Sequence, residues 1–153
     1  LHGWLVLDKP LGLSSTQVVG RIRYHYKVKR LGHLGTLDPL ASGVLTIAIG
    51  EATKLIPYLP SRPKIYEFDV CWGEARDTDD AEGQVIHKSD VYPSLSAIEA
   101  ALPHFTGEIE QLPPLYSAIK NKGQPAYKLA RRGQMPLLQK RLQSIYKLSL
   151  VQE

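Results

Sequence analysis

The residues best able to do chemistry in this sequence lie in one glycine-punctuated stretch, Gly32-His33-Leu34-Gly35-Thr36-Leu37-Asp38-Pro39-Leu40-Ala41-Ser42-Gly43. Its glycines let the backbone pass close to another chain or a ligand, and Pro39 restricts Asp38 towards an extended conformation and removes one neighbouring donor. A carboxylate fixed in this way serves as a nucleophile or base if a cation keeps it ionised, or simply opens an Asp-Pro turn. No second acid stands at a fixed spacing from it, which argues against glycoside hydrolysis. Other site chemistries fail on spacing. The run Asp77-Thr78-Asp79-Asp80-Ala81-Glu82-Gly83 begins like a calcium loop, but Ala81 and Glu82 take its fifth and sixth places and Lys88 its twelfth. His2, His25, His33, His87 and His104 form no i, i+4 pair, so no metal is expected. Neither GxxxxGK followed by Ser or Thr nor GxGxxG occurs, and no nucleotide cofactor is expected. No GxSxG elbow frames Ser14 or Ser42 for a pair with His33.

The elements that must hold this loop are readable on either side of it. Asp8-Lys9-Pro10-Leu11-Gly12 reads as a turn after the apolar stretch Trp4 to Leu7. Ser14 with Gln17 forms a capping box, stapled by Leu13 against Val18, and opens a helix whose apolar stripe is Val18, Val19, Ile22 and Tyr26. Arg21, Arg23, His25 and Lys27 give that helix a basic outer side. Val44 to Ile49 reads as a strand. Tyr66, Phe68, Val70 and Trp72 alternate with polar residues, predicting a strand with one buried face, and the acidic turn Asp77 to Gly83 returns it through Gln84 to His87 as a long hairpin. Ser96 and Glu99 suggest a second capping box for a helix stopped by Pro103. Pro125 to Arg132 reads as a helix with Gly133 past its end, and Ser144 to Val151 as a last strand. Irregularly mixed helices and hairpins favour an α+β fold with a mainly antiparallel sheet and flanking helices.

Composition sets the limits. A chain of 153 residues, 43% hydrophobic and 22% charged, is expected to be one globular domain, spanning 1–153. One cysteine, Cys71, excludes an internal disulfide and points to a reducing, cytoplasmic setting, and neither a leader nor a membrane span is expected. The net charge of +4 is unevenly spread: +4 over residues 1–60, −7 over 61–110 and +7 over 111–153. Two basic ends can form one surface for a polyanion, or be ordinary solvated faces. Lys120, Lys122, Lys128, Arg131 and Arg132, interleaved with Tyr116 and Tyr127, offer cations for phosphates and aromatic surfaces for bases.

These motifs in register resemble the bacterial tRNA pseudouridine synthase B family, kin to the dyskerin proteins. The Gly32 to Leu45 segment resembles its catalytic motif, and Asp8-Lys9-Pro10-Leu11-Gly12 with Ser14 or Ser15 its opening motif. Lys64-Ile65-Tyr66 is similar to its uracil-stacking segment, and Asp77-Thr78-Asp79 to Gly83 to its acidic hairpin turn. Pro113 to Lys120, through Tyr127 and Ala130 to Gly133, resembles its RNA-gripping thumb, about residues 109–135. The resemblance implies a pseudouridine synthase catalytic domain, incomplete at its C-terminus, that isomerises a T-loop uridine of tRNA after flipping the base, with no cofactor, metal, membrane or obligate protein partner. Asp38 would be the nucleophile and Tyr66 the stacking face, though Tyr66 suits a core strand equally well. His33 would fill the space the flipped base leaves, and Lys9 would brace the active-site loop.

The chain departs from that family near Glu153. A KGTYIR-like segment, whose arginine pairs with the catalytic aspartate, and a C-terminal RNA-binding domain are both absent. A carboxylate buried without its cation is a poor nucleophile, so this chain alone is expected to be weakly active or inactive. The alternatives are a non-catalytic tRNA-binding or RNA-chaperone module, which needs the basic blocks but not Asp38, and an α+β interaction domain with no RNA partner.

Overall fold

Strand β1 (Gly3–Lys9) alternates as the pleat demands: Leu5, Leu7 and Lys9 turn inward while Trp4, Val6 and Asp8 face out. The computed structural model describes residues 1–60, 62–117, 119–121 and 123–151. These fall into two compact units, Leu1–Tyr66 and Glu67–Glu153. In the first, β1 is followed by helix α1 (Ser15–Tyr26), strand β2 (Leu31–Leu34) and strand β3 (Gly43–Ile49). The strands form an antiparallel sheet in the order β1-β3-β2. Leu5 opposes Ile47 and Leu7 opposes Leu45 across β1 and β3, while Leu31 opposes Ile49 across β2 and β3. One face of this sheet and the Val18-Val19 side of α1 make the core, with Leu45 and Ile47 essentially inaccessible. Burying each such side chain contributes roughly 1.5–3 kcal/mol.

Helix α1 starts as its sequence predicts. The Ser14 hydroxyl accepts the Gln17 N–H, and the Gln17 side chain accepts the Ser14 N–H at 2.8 Å. Its inner stripe ends differently, because Lys27 adopts a left-handed φ of 52° that stops the helix. Tyr26 is left exposed, and Val28 takes the buried place expected of it. After β3 the chain winds through a 3-10 stretch, Gly50–Tyr58.

In the second unit, strands β4 (Glu74–Arg76) and β5 (Val85–Lys88) form the hairpin around the acidic turn. The Asp77 carboxylate accepts the Gln84 N–H and the Asp80 carboxylate accepts the Glu82 N–H, so both acids hold their own turn. Helix α2 (Leu95–Ala101) is capped by Ser94, whose hydroxyl accepts the Ala97 N–H; Ser96, the expected cap, lies inside the helix. The α-helix stops before Pro103, which sits in the 3-10 turn Leu102–Phe105. Strand β6 (Gly107–Gln111) pairs antiparallel with β9 (Arg141–Ile145), and between them lie the two-residue strands β7 (Lys120–Asn121) and β8 (Gln124–Pro125) and helix α3 (Ala126–Ala130). The whole is α+β with antiparallel strands throughout.

Two strand expectations fail. The alternating stretch from Tyr66 to Trp72 forms no strand, and Tyr66, Phe68, Val70 and Trp72 are all exposed. Alternation is a local signal, whereas a ladder needs a partner, and this stretch has none among the described residues. The last strand runs over Arg141–Ile145 rather than Ser144 to Val151, because its register is set by β6.

Candidate functional site: the Asp38 loop and the thumb

The loop carrying Asp38 is tied at its base to α1 and to the turn after β1. Ser15, buried at the first position of α1, donates its hydroxyl to the Leu37 carbonyl at 3.0 Å and accepts the Leu37 N–H at 2.9 Å. Both backbone polar groups of the residue before Asp38 are thus satisfied by one side chain. The Gly12 N–H donates to the Pro39 carbonyl at 2.8 Å, joining the Lys9-to-Gly12 turn to the residue after Asp38. The Ala41 N–H donates to the Asp38 carbonyl at 3.0 Å and closes the loop on itself. Asp38 is held by its backbone on both sides.

Its side chain is exposed, which corrects the expectation of a buried carboxylate. Among the described residues none donates a hydrogen bond to it or pairs with its charge. The reason is local. Leu37 turns inward onto the core and Pro39 is half-buried, so the intervening residue points the other way.

Lys9 lies on the inner face of β1 with no accessible surface. Its ammonium donates to the carbonyls of Pro10, at 2.9 Å, and Leu13, at 2.6 Å. Two acceptors from one turn bind the charge, and the charge in turn sets the shape of that turn, whose Gly12 holds Pro39. The path from Lys9 to the Asp38 loop is therefore two bonded steps long.

His33 belongs to β2 rather than to an irregular loop. It opposes Ile47, so its half-buried ring shares the core-facing side of the sheet, and Nδ1 bonds the Gly35 carbonyl. Gly35 has a left-handed φ of 79°, the conformation that lets the chain turn out of β2 into the Asp38 loop. Tyr66, at the end of the first unit, is 62% exposed and makes no hydrogen bond or ring contact with the described residues. His33 and Asp38 thus sit on one loop and its parent strand, whereas among the described residues no hydrogen bond or ring contact joins Tyr66 to either.

The segment expected to form the thumb is a small structure of its own. Ala126 is completely buried where the β7–β8 hairpin meets α3, and its N–H donates to the Ile119 carbonyl at 2.7 Å. The Tyr127 N–H donates to the Ser117 carbonyl at 3.0 Å. Gly133, with a φ of 72°, ends the turn after α3, as its position in sequence suggested. Lys120, Lys128, Arg131 and Arg132 are exposed, Tyr116 and Tyr127 are half-buried, and Lys122 lies outside the described residues. The Arg131 guanidinium carbon stands 5.8 Å from the centre of the Tyr127 ring, a cation over an aromatic face.

Ser15 is named in sequence only as an alternative to Ser14 in the opening motif, and its clamp on Leu37 is not foreseen there. Its signal was a polar side chain at i on the stripe continued by Val18, Val19 and Ile22 at i+3, i+4 and i+7, where an apolar residue would be the rule.

The fold and the sequence both match known proteins. In a solved crystal structure of a Cbf5-Nop10-Gar1 complex, one chain matches with a TM-score of 0.52 and 33% identity over 77% of this chain and 31% of that one. The model of the TruB family pseudouridylate synthase N-terminal domain matches residues 23–153. The chain belongs to the TruB family. It is 55% identical over 153 residues to the tRNA pseudouridine synthase B of Bradyrhizobium diazoefficiens, covering all of this chain and 44% of that protein. It is 55% identical over 152 residues to that of Rhodospirillum rubrum, covering 99% of this chain and 49% of that one. The chain therefore spans about half the length of the curated relatives it matches.

Proposed function

We propose that this chain is the nucleophile-bearing part of a tRNA pseudouridine synthase, an isomerase acting on the T-loop uridine at position 55. The observation that carries this is Asp38: an exposed carboxylate on a loop whose backbone is fixed by Ser15 and Gly12, in a chain of the TruB family. A base stacked inside a folded RNA loop must leave the stack before any side chain reaches its ring or its glycosidic bond. The everted uridine meets the Asp38 carboxylate, the bond between C1′ and N1 breaks, and the base turns and rejoins through C5. C5 gives up its proton to solvent and N1 ends protonated, so no atom is gained or lost. Tyr66 supplies an exposed aromatic face for the base, and His33 supports the RNA where the base has left. Lys9 holds the turn that holds the loop. Lys120, Lys122, Lys128, Arg131 and Arg132 grip phosphates, and Tyr116 and Tyr127 add aromatic surface.

The test is tritium release from T-loop RNA labelled at C5 of uridine, by a chain of the relatives' full length, beside tRNA affinity. Asp38→Asn is expected to abolish release while leaving affinity within about threefold, since an exposed carboxylate adds repulsion rather than attraction for phosphate. Release by Asp38→Asn at the wild-type rate would favour a non-catalytic tRNA-binding module instead.

A further inference from the structure

Helix α1 carries an outward stripe that the chemistry above does not use. No acidic residue stands between Asp8 and Asp38, while Arg21, Arg23, Lys27, Lys29 and Arg30 crowd the C-terminal half of α1 and the residues after it. Arg30 is paired with Glu51 at 3.7 Å. Among the described residues no ion pair reaches Arg21, Arg23, Lys27 or Lys29, and all four are exposed. Tyr24, between the two arginines and the lysines, is 89% exposed. The outer side of the helix holds a shallow open groove lined by Leu13, Gln17, Gly20, Arg21, Tyr24 and His25.

Gly20 is the telling residue. It sits in the interior of α1, where glycine is the poorest helix former after proline. Its backbone is ordinary helix, outside the left-handed region, and a Cβ placed on it would meet nothing within 4 Å. Among the described residues, neither backbone conformation nor packing requires a glycine there. At 100° per residue Arg21 and Arg23 project on either side of it, and Tyr24 stands one turn further along the same stripe. A bare patch of helix backbone, flanked by two guanidiniums and followed by an aromatic ring, admits something bulky and anionic.

We propose that this stripe is a second RNA-contact surface, taking a stretch of tRNA backbone between Arg21, Arg23 and Lys27, with a sugar or base laid against the helix at Gly20 and Tyr24. The proposal rests on the reading of tRNA as substrate. Geometry supports the pairing of the two surfaces: the N-terminal turn of α1 clamps Leu37 through Ser15, and a helix of 12 residues is about 18 Å long.

The experiment titrates fluorescent tRNA with the chain over a range of salt concentrations, with thermal melting measured in parallel. Gly20→Gln is expected to melt at or above the wild-type temperature and to bind tRNA roughly 5- to 100-fold more weakly, the range seen when one stacking contact is lost. Arg21→Ala with Arg23→Ala is expected to make the salt slope shallower by about 1.4–1.8. Wild-type affinity in Gly20→Gln, or an unchanged slope in the arginine pair, overturns the proposal. So does an equal loss of affinity by Gly20→Gln for heparin, which would mark a merely cationic face. If Arg131→Ala with Arg132→Ala weakens binding and the α1 variants do not, this surface fails while the substrate reading stands. A wild-type chain that does not bind tRNA at low salt overturns both.

Discussion

Asp38 owes its position to side chains that do no chemistry. Ser15 satisfies both backbone groups of Leu37, and Lys9 draws the Pro10 and Leu13 carbonyls around its ammonium. Ser15→Ala leaves those Leu37 groups unpaired beside a core residue, and is expected to cost about 1–3 kcal/mol in urea unfolding. Lys9→Met keeps the stem's volume and removes both donors. It is expected to destabilise by a similar ~1–3 kcal/mol and to lower kcat with little change in tRNA affinity; a loss confined to affinity would contradict the positioning role. Of these residues, Asp38 was legible from its glycine-punctuated Asp-Pro loop, and Lys9 only through the family resemblance. Ser15 was not, because its partner is 22 residues away and only the packed helix brings them together.

At the scale of elements, local signals fared well and pairing signals did not. The Ser14–Gln17 capping box is present in full, and Ser14→Ala is expected to cost about 1 kcal/mol in stability, with unchanged denaturant dependence as the check. Ser96 with Glu99 offered the same spacing, yet Ser94 two residues earlier caps α2. Strand β2 was hidden by glycines that read as a loop; it exists because Leu31 and His33 find Ile49 and Ile47 on β3. The stretch from Tyr66 to Trp72 shows the converse, a strand pattern without a ladder. Ile47, inaccessible and central to the core, should lose about 2–5 kcal/mol on Ile47→Ala, far more than Val44→Ala on the exposed face of the same strand.

Across the whole molecule, uncompensated positive charge is exposed on both units. The first carries an unneutralised basic helix, and the second a compact thumb with four exposed cations among the described residues. Both suit a polyanion, and the chain is about half the length of the relatives it matches. Arg131→Ala with Arg132→Ala is expected to weaken tRNA binding and to reduce the salt slope by about 1.4–1.8. The most direct test of the central claim is release of tritium from C5-labelled T-loop RNA by a full-length chain with and without Asp38→Asn. Release is expected from the wild type and none from the variant at matched tRNA occupancy; equal release by both would show that Asp38 is not the nucleophile.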